Sequence, residues 1–169
     1  NAAGNNQFTV EVDYFNEIDE LEESNNIGTL NLFVPLFGTK NLFPVNYGIV
    51  SSQPVEIVVQ ASDLLSEQRE YIIELDTSST FNSPFKKQQI VQAKLLASWQ
   101  TTLLSDVPAN DSTVYYWRSK FSTPLEGESS EWVNSSFTYI KGSPNGWSQS
   151  QFPQLQHNLL EGLELNESG

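Results

Sequence analysis

The chain contains no cysteine and no methionine, a single histidine, and only eight basic residues among 169. Without cysteine, a disulfide framework, a CxxC redox centre, a thiolate zinc site and a cysteine nucleophile are all excluded within these residues. The lone histidine, His157, sits in a polar stretch near the C-terminus, so neither a two-histidine metal site nor an HExxH helix can be built. No cofactor is expected. Eight Lys and Arg against 21 Asp and Glu give a formal charge of −13. Phosphate recognition needs clustered cations, so nucleic acid and anionic membrane surfaces are poor partners. No apolar run approaches the roughly 18 residues of a spanning helix, and no basic-then-apolar segment opens the chain, so membrane insertion is not expected. With no methionine, the chain is expected to be an internal piece of a longer polypeptide, and Asn1 and Ala2 are expected to be cloning remnants.

What is present is strand patterning. QFTVEVD, 7 to 13, alternates with Phe8, Val10 and Val12 on one side, and residues 11 to 23 then carry seven carboxylates before the turn-forming Asn25 and Asn26. This reads as the closing hairpin of a preceding domain. TLNLFVPLF, 29 to 37, is ended by Pro35 and Gly38. From Pro54 the pattern is regular: VEIVVQA puts Val55, Ile57, Val59 and Ala61 in phase, and REYIIELD does the same for Tyr71, Ile73 and Leu75. KLLASWQTTL aligns Leu95, Ala97, Trp99 and Leu103; VYYWRSKF aligns Tyr115, Trp117 and Phe121; SSFTYI adds Phe137 and, more loosely, Ile140. Turn clusters such as DTSSTFNSP and PLEGESS separate these runs. Short strands at this spacing predict an all-β sandwich, and only QFPQLQHNLLEGLEL has room for a helical turn or an edge strand.

Within DSTVYYWRSKF, 111 to 121, alternation turns Tyr115 and Trp117 inward and Tyr116, Arg118 and Lys120 outward. Tyr115 stands where a tyrosine corner bonds back across the preceding loop. Arg118 is expected to lie on the ring of Trp132 from the neighbouring strand, for about 0.5–1 kcal/mol. The aromatic cluster is therefore expected to be structural.

VEIVVQA, YIIELDTSSTFNSP, DSTVYYWRSKF and EWVNSSFTYI resemble a fibronectin type III-like domain. With the following GWSQSQFPQ they are similar to the stretch downstream of the catalytic domain in gingipain-like cysteine peptidases and type IX sortase-like exported proteins of Gram-negative bacteria. The resemblance covers residues 45 to 154. Ser119 stands where the family has a valine, and Val133 follows Trp132 where a serine is usual. ELEESNN, 20 to 26, resembles the last strand of an adhesion-type immunoglobulin-like module. The resemblance implies an exported, cell-surface or extracellular location and a non-catalytic spacer and interaction module; no position here matches the family's catalytic cysteine and histidine. It also implies O-linked glycosylation at Ser112, whereas NDS at 110 to 112, NSS at 134 to 136 and NES at 166 to 168 fit the N-linked pattern.

The expected organisation is a hairpin remnant over 1–30, a seven-stranded fibronectin type III or immunoglobulin-like β-sandwich over 31–141, and a linker with the start of the next domain over 142–169. Its core should hold Val55, Ile57, Val59, Tyr71, Ile73, Leu75, Trp99, Tyr115, Trp117 and Phe137. The hairpin should pack on the sandwich or pair with a second copy through an edge strand, because an isolated two-stranded ribbon is marginal in water. Asp13, Glu17, Asp19, Glu20, Glu22 and Glu23 offer oxygen ligands for calcium, but the EF-hand spacing is absent and a solvated acidic hairpin is the preferred reading. With 21 acidic residues some glycosidase-like pair can always be drawn, so no catalytic residue is assigned. The alternative to a spacer is a carbohydrate-binding β-sandwich module, for which Tyr116, Arg118, Trp132 and Trp147, with Tyr47, are the candidate contacts. Neighbouring domains of the same polypeptide, other proteins or glycans are the expected partners.

Overall fold

A computed structural model describes residues 4–15, 17–18, 24, 26–34, 38–104 and 112–155. They form an all-β structure in three sheets. Strands β1 (Gly4–Glu11) and β2 (Ile27–Val34) make a two-stranded antiparallel sheet of their own. A three-stranded sheet has the order β3-β5-β8, from β3 (Thr39–Phe43), β5 (Val55–Ala61) and β8 (Leu96–Thr101). A five-stranded sheet has the order β4-β10-β9-β6-β7, from β4 (Gly48–Val50), β10 (Val133–Tyr139), β9 (Thr113–Phe121), β6 (Arg69–Asp76) and β7 (Lys87–Ala93). β4 runs parallel to β10, and the other pairs in these two sheets are antiparallel.

The larger sheets enclose one core. Val55, Ile57 and Val59 of β5 meet Tyr71, Ile73 and Leu75 of β6, with Tyr115, Trp117 and Phe121 of β9 and Phe137 of β10. Tyr115 stacks on Phe137 at 5.4 Å, and Tyr71 meets Phe121 edge-on at 5.0 Å. Period-two alternation explains β5, where inward residues are buried and Glu56 is exposed. Trp99, expected in the core, is only half-buried, because β8 lies at the edge of the small sheet and its ring packs against the core from the side. Tyr139, rather than Ile140, completes the core beyond Phe137.

The sheets are also pinned by a polar contact. The buried Ser119 hydroxyl lies 2.8 Å from Thr39 Oγ1 and 2.6 Å from Asn41 Oδ1, while the Asn41 amide donates to the Val133 carbonyl and the Ser135 hydroxyl. Burying a hydroxyl costs free energy unless it is bonded in this way. Here it bridges β3 to β9 and β10.

Alternation fails on the outer side of the five-stranded sheet. Glu74, Asp76, Val114, Tyr116, Ser136 and Thr138, which point away from the core, are all buried. Two segments cover them. One is the β6–β7 loop, whose Phe81 forms a second cluster with Val114 and Tyr116. The other is 146–155, inside the stretch 142–169 assigned to a linker. Gly48 pairs with Trp147, Ile49 N–H donates to the Gly146 carbonyl, and α1 (Phe152–Leu155) buries Gln154 against the sheet.

The hairpin is amphipathic. Residues opposite one another in its register share a side, so Phe8 and Leu30, with Val10 and Leu32, line one face and Gln7, Thr9, Thr29 and Asn31 the other. The apolar face is exposed among the described residues. At its turn the Asp13 carboxylate accepts from the Glu17 and Ile18 N–H groups, each at 2.9 Å. Asp19, Glu20, Glu22 and Glu23 lie outside the described residues, among which no cluster of metal-ligating side chains occurs.

Candidate binding cleft

The two covering segments leave a cleft of about 520 Å³ between them. Its floor is the outer side of β9 and β10. The β6–β7 loop forms one wall, and Asn46 and Tyr47 with Pro153 and Gln154 form the other.

The first wall is set by Asp76. Its carboxylate accepts from the N–H groups of Thr77, Ser78 and Ser83 and from the Ser83 hydroxyl, which folds the loop back over the sheet. Burial pushes the Asp76 carboxyl up, but these donors outweigh it and hold the group below the usual carboxylate range. A Ser78–Thr80–Asn82 side-chain chain continues the network. The loop turns through Phe81 at φ 54°, which drops the ring onto Tyr116 and Val114.

Tyr47 fixes the second wall at φ 63°. Its N–H donates to the Ser136 carbonyl at 2.7 Å, and Asn46 Oδ1 accepts the Ser136 N–H at 2.9 Å. Gln154 locks the C-terminal turn: its amide donates to the Ser136 hydroxyl, and its Oε1 accepts from the N–H groups of Ser150 and Gln151. Gln151 in turn accepts the Tyr116 hydroxyl at 2.7 Å.

Arg118 lies on the floor. It stands directly across from Glu74 and places Nε and Nη2 at 2.7 and 2.6 Å from Oε2, while Lys86 reaches Oε1 at 2.7 Å. Its guanidinium carbon is 4.0 Å from the Phe81 ring centre and 4.2 Å from that of Trp132, so the cation is held between two rings. Lys120 adds a second cation over Trp132 at 4.6 Å.

The stacking expected of Arg118 on Trp132 is therefore present, and Phe81 is a second partner that alternation did not reveal. Tyr115 makes the backward bond expected of it, accepting the Leu104 N–H at 3.1 Å. The opposite loop residues 105–111 lie outside the described residues. Tyr116 does not face solvent: it is 7% exposed, sealed by Phe81 and the C-terminal turn. Trp132 is half-buried beneath two cations. Trp147 is 64% exposed and meets Tyr47 edge-on at 6.1 Å, outside the cleft lining. The four candidates thus divide, with Tyr116 and Arg118 in the cleft and Trp132 and Trp147 flanking it. Asn134, Ser79 and Asn46 were not foreseen. The available signal was VYYW itself, in which apolar residues occupy both phases of one strand and therefore require cover on both sides.

The sequence matches no protein-family model and no curated protein sequence.

Proposed function

We propose that this chain is a non-catalytic spacer and interaction module, of fibronectin type III-like build, from a large exported bacterial surface protein resembling the gingipain-like peptidases. Support for the fold type comes from the three-plus-five division of strands, with β4 added parallel to β10, and from the Tyr115 corner. One observation carries the functional reading. Buried and half-buried ion pairs hold charged groups of the large sheet to their neighbours: Glu74 to Arg118 and Lys86, and Arg69 to Glu128 through two bonds of 2.7 Å. Such pairing fixes a surface rather than poising an acid or base, and it suits holding a partner.

An antibody against residues 39–155 should label intact cells that make the full-length chain, and the purified chain should turn over neither peptide nor glycoside substrates. Labelling only after permeabilisation refutes the surface role. Turnover refutes the non-catalytic one.

A further inference from the structure

We propose that the cleft on β9 and β10 binds a short neutral oligosaccharide through the side chains of Asn134, Ser79, Asn46 and Tyr47. This rests on the reading of the chain as an interaction module and names the ligand class of its cleft.

The cleft is a site of the right size with hydrogen-bonding groups left over. About 520 Å³ lies within the range of small-ligand pockets and accommodates one or two sugar rings. Among the described residues the Asn134 amide and the Ser79 hydroxyl have no side-chain partner, and the Tyr47 hydroxyl has none either. Asn46 uses only Oδ1, toward Ser136, which leaves its Nδ2 donors free. These groups come from both walls and the floor. Amides and hydroxyls are the side chains whose donors and acceptors match adjacent sugar hydroxyls.

Charge and topology favour a neutral sugar over an anion or a peptide. Among the described residues Arg118 is the only charged one lining the cleft, and its Nε and Nη2 are both engaged by Glu74. An acidic ligand would have to compete with that carboxylate. An extended peptide binds a sheet chiefly by adding a strand at an edge. β9 is paired along both sides, and β10 pairs with β4 over Phe137–Tyr139 while Asn46 and Tyr47 take the backbone of Ser136, so little ladder is left for an added strand and recognition falls chiefly to side chains. Both walls also carry a bulky residue in the left-handed region, Tyr47 at φ 63° and Phe81 at φ 54°. Such strain persists only where the surroundings enforce it, and it gathers at ligand sites.

The test is a printed array of neutral and acidic glycans, followed by calorimetry of each hit with the purified chain and with Asn134→Ala, Ser79→Ala and Leu125→Ala variants. The first two should each weaken binding of a neutral glycan, together by about tenfold, with unchanged melting temperatures. Leu125→Ala, a substitution at an exposed site outside the cleft, should leave binding intact. The proposal is overturned by an array without neutral hits, by binding confined to acidic glycans, or by neutral binding indifferent to Asn134→Ala and Ser79→Ala. Selection of cleft-dependent peptides from a random display library, with no neutral glycan bound, overturns it in favour of a peptide ligand. None of these outcomes bears on cell-surface labelling or turnover, so the module reading stands or falls separately.

Discussion

Glu74 and Arg118 face each other across the β6–β9 pair, and two guanidinium nitrogens share one carboxylate oxygen at 2.7 and 2.6 Å. The Glu74 side chain is 4% exposed and that of Arg118 21%. Glu74→Ala should therefore destabilise the protein by about 3 kcal/mol, because it strands a partly desolvated cation between two rings. Lys86→Ala should cost less than about 1 kcal/mol, since its side chain is a third exposed and Arg118 remains paired. Urea denaturation of the two variants measures both, and equal losses would refute the ranking.

Ser119 buries its hydroxyl between the two larger sheets, within reach of both Thr39 and Asn41. Ser119→Val should remove the hydrogen-bonding partner of Asn41 Oδ1 and Thr39 Oγ1 and cost about 1–3 kcal/mol despite its greater apolarity. Asn41→Val combined with Ser119→Val should cost less than the sum of the two single changes. Additive melting-temperature losses would argue against the shared network.

Asp76 ties stability to acid. Its folded-state carboxyl lies below the ordinary range, so the contribution is fully present above the ordinary carboxylate value and is lost as pH falls through the depressed one. Asp76→Asn should lower stability at neutral pH and flatten the acid limb of a stability–pH profile. Hydrogen exchange at Ser78 and Ser83 should quicken in the variant, as the loop loses its anchor.

Burial pushes the hydroxyls of Tyr71, Tyr115 and Tyr116 up from their ordinary value. The stability held by these neutral phenols is intact below that value and disappears as pH rises through the raised ones. Ultraviolet titration should show these tyrosines ionising late, together with loss of near-ultraviolet dichroism. Tyr115→Phe should cost about 1–2 kcal/mol through the unpaired Leu104 N–H, and a neutral result would exclude the corner as a stabilising bond.

The core-facing half of this protein was legible because it depends only on local alternation. In VEIVVQA, REYIIELD and VYYWRSKF the inward phase is apolar except for Arg69 and Ser119, and the structure buries its apolar side chains. Arg118 was legible for a similar reason, as an outward cation one strand from a tryptophan. The cleft was not. Its walls come from Asn46 and Tyr47, Ser79 to Phe81, and Pro153 and Gln154, separated by long stretches of chain and drawn from turn-rich segments without periodicity.

By itself the sequence determined the all-β class, the inward phase of the central strands, the acidic surface charge and the absence of thiol chemistry, since each follows from composition or from the twofold repeat of an extended backbone. Only the tertiary structure decided that the outer side of the large sheet is covered, that Tyr116 is sealed, and that Asn134 faces a cleft. The reason is physical: which face a strand turns to solvent depends on what distant segments fold over it, and Asp76 and Gln154 secure those segments with hydrogen bonds whose geometry no local pattern encodes.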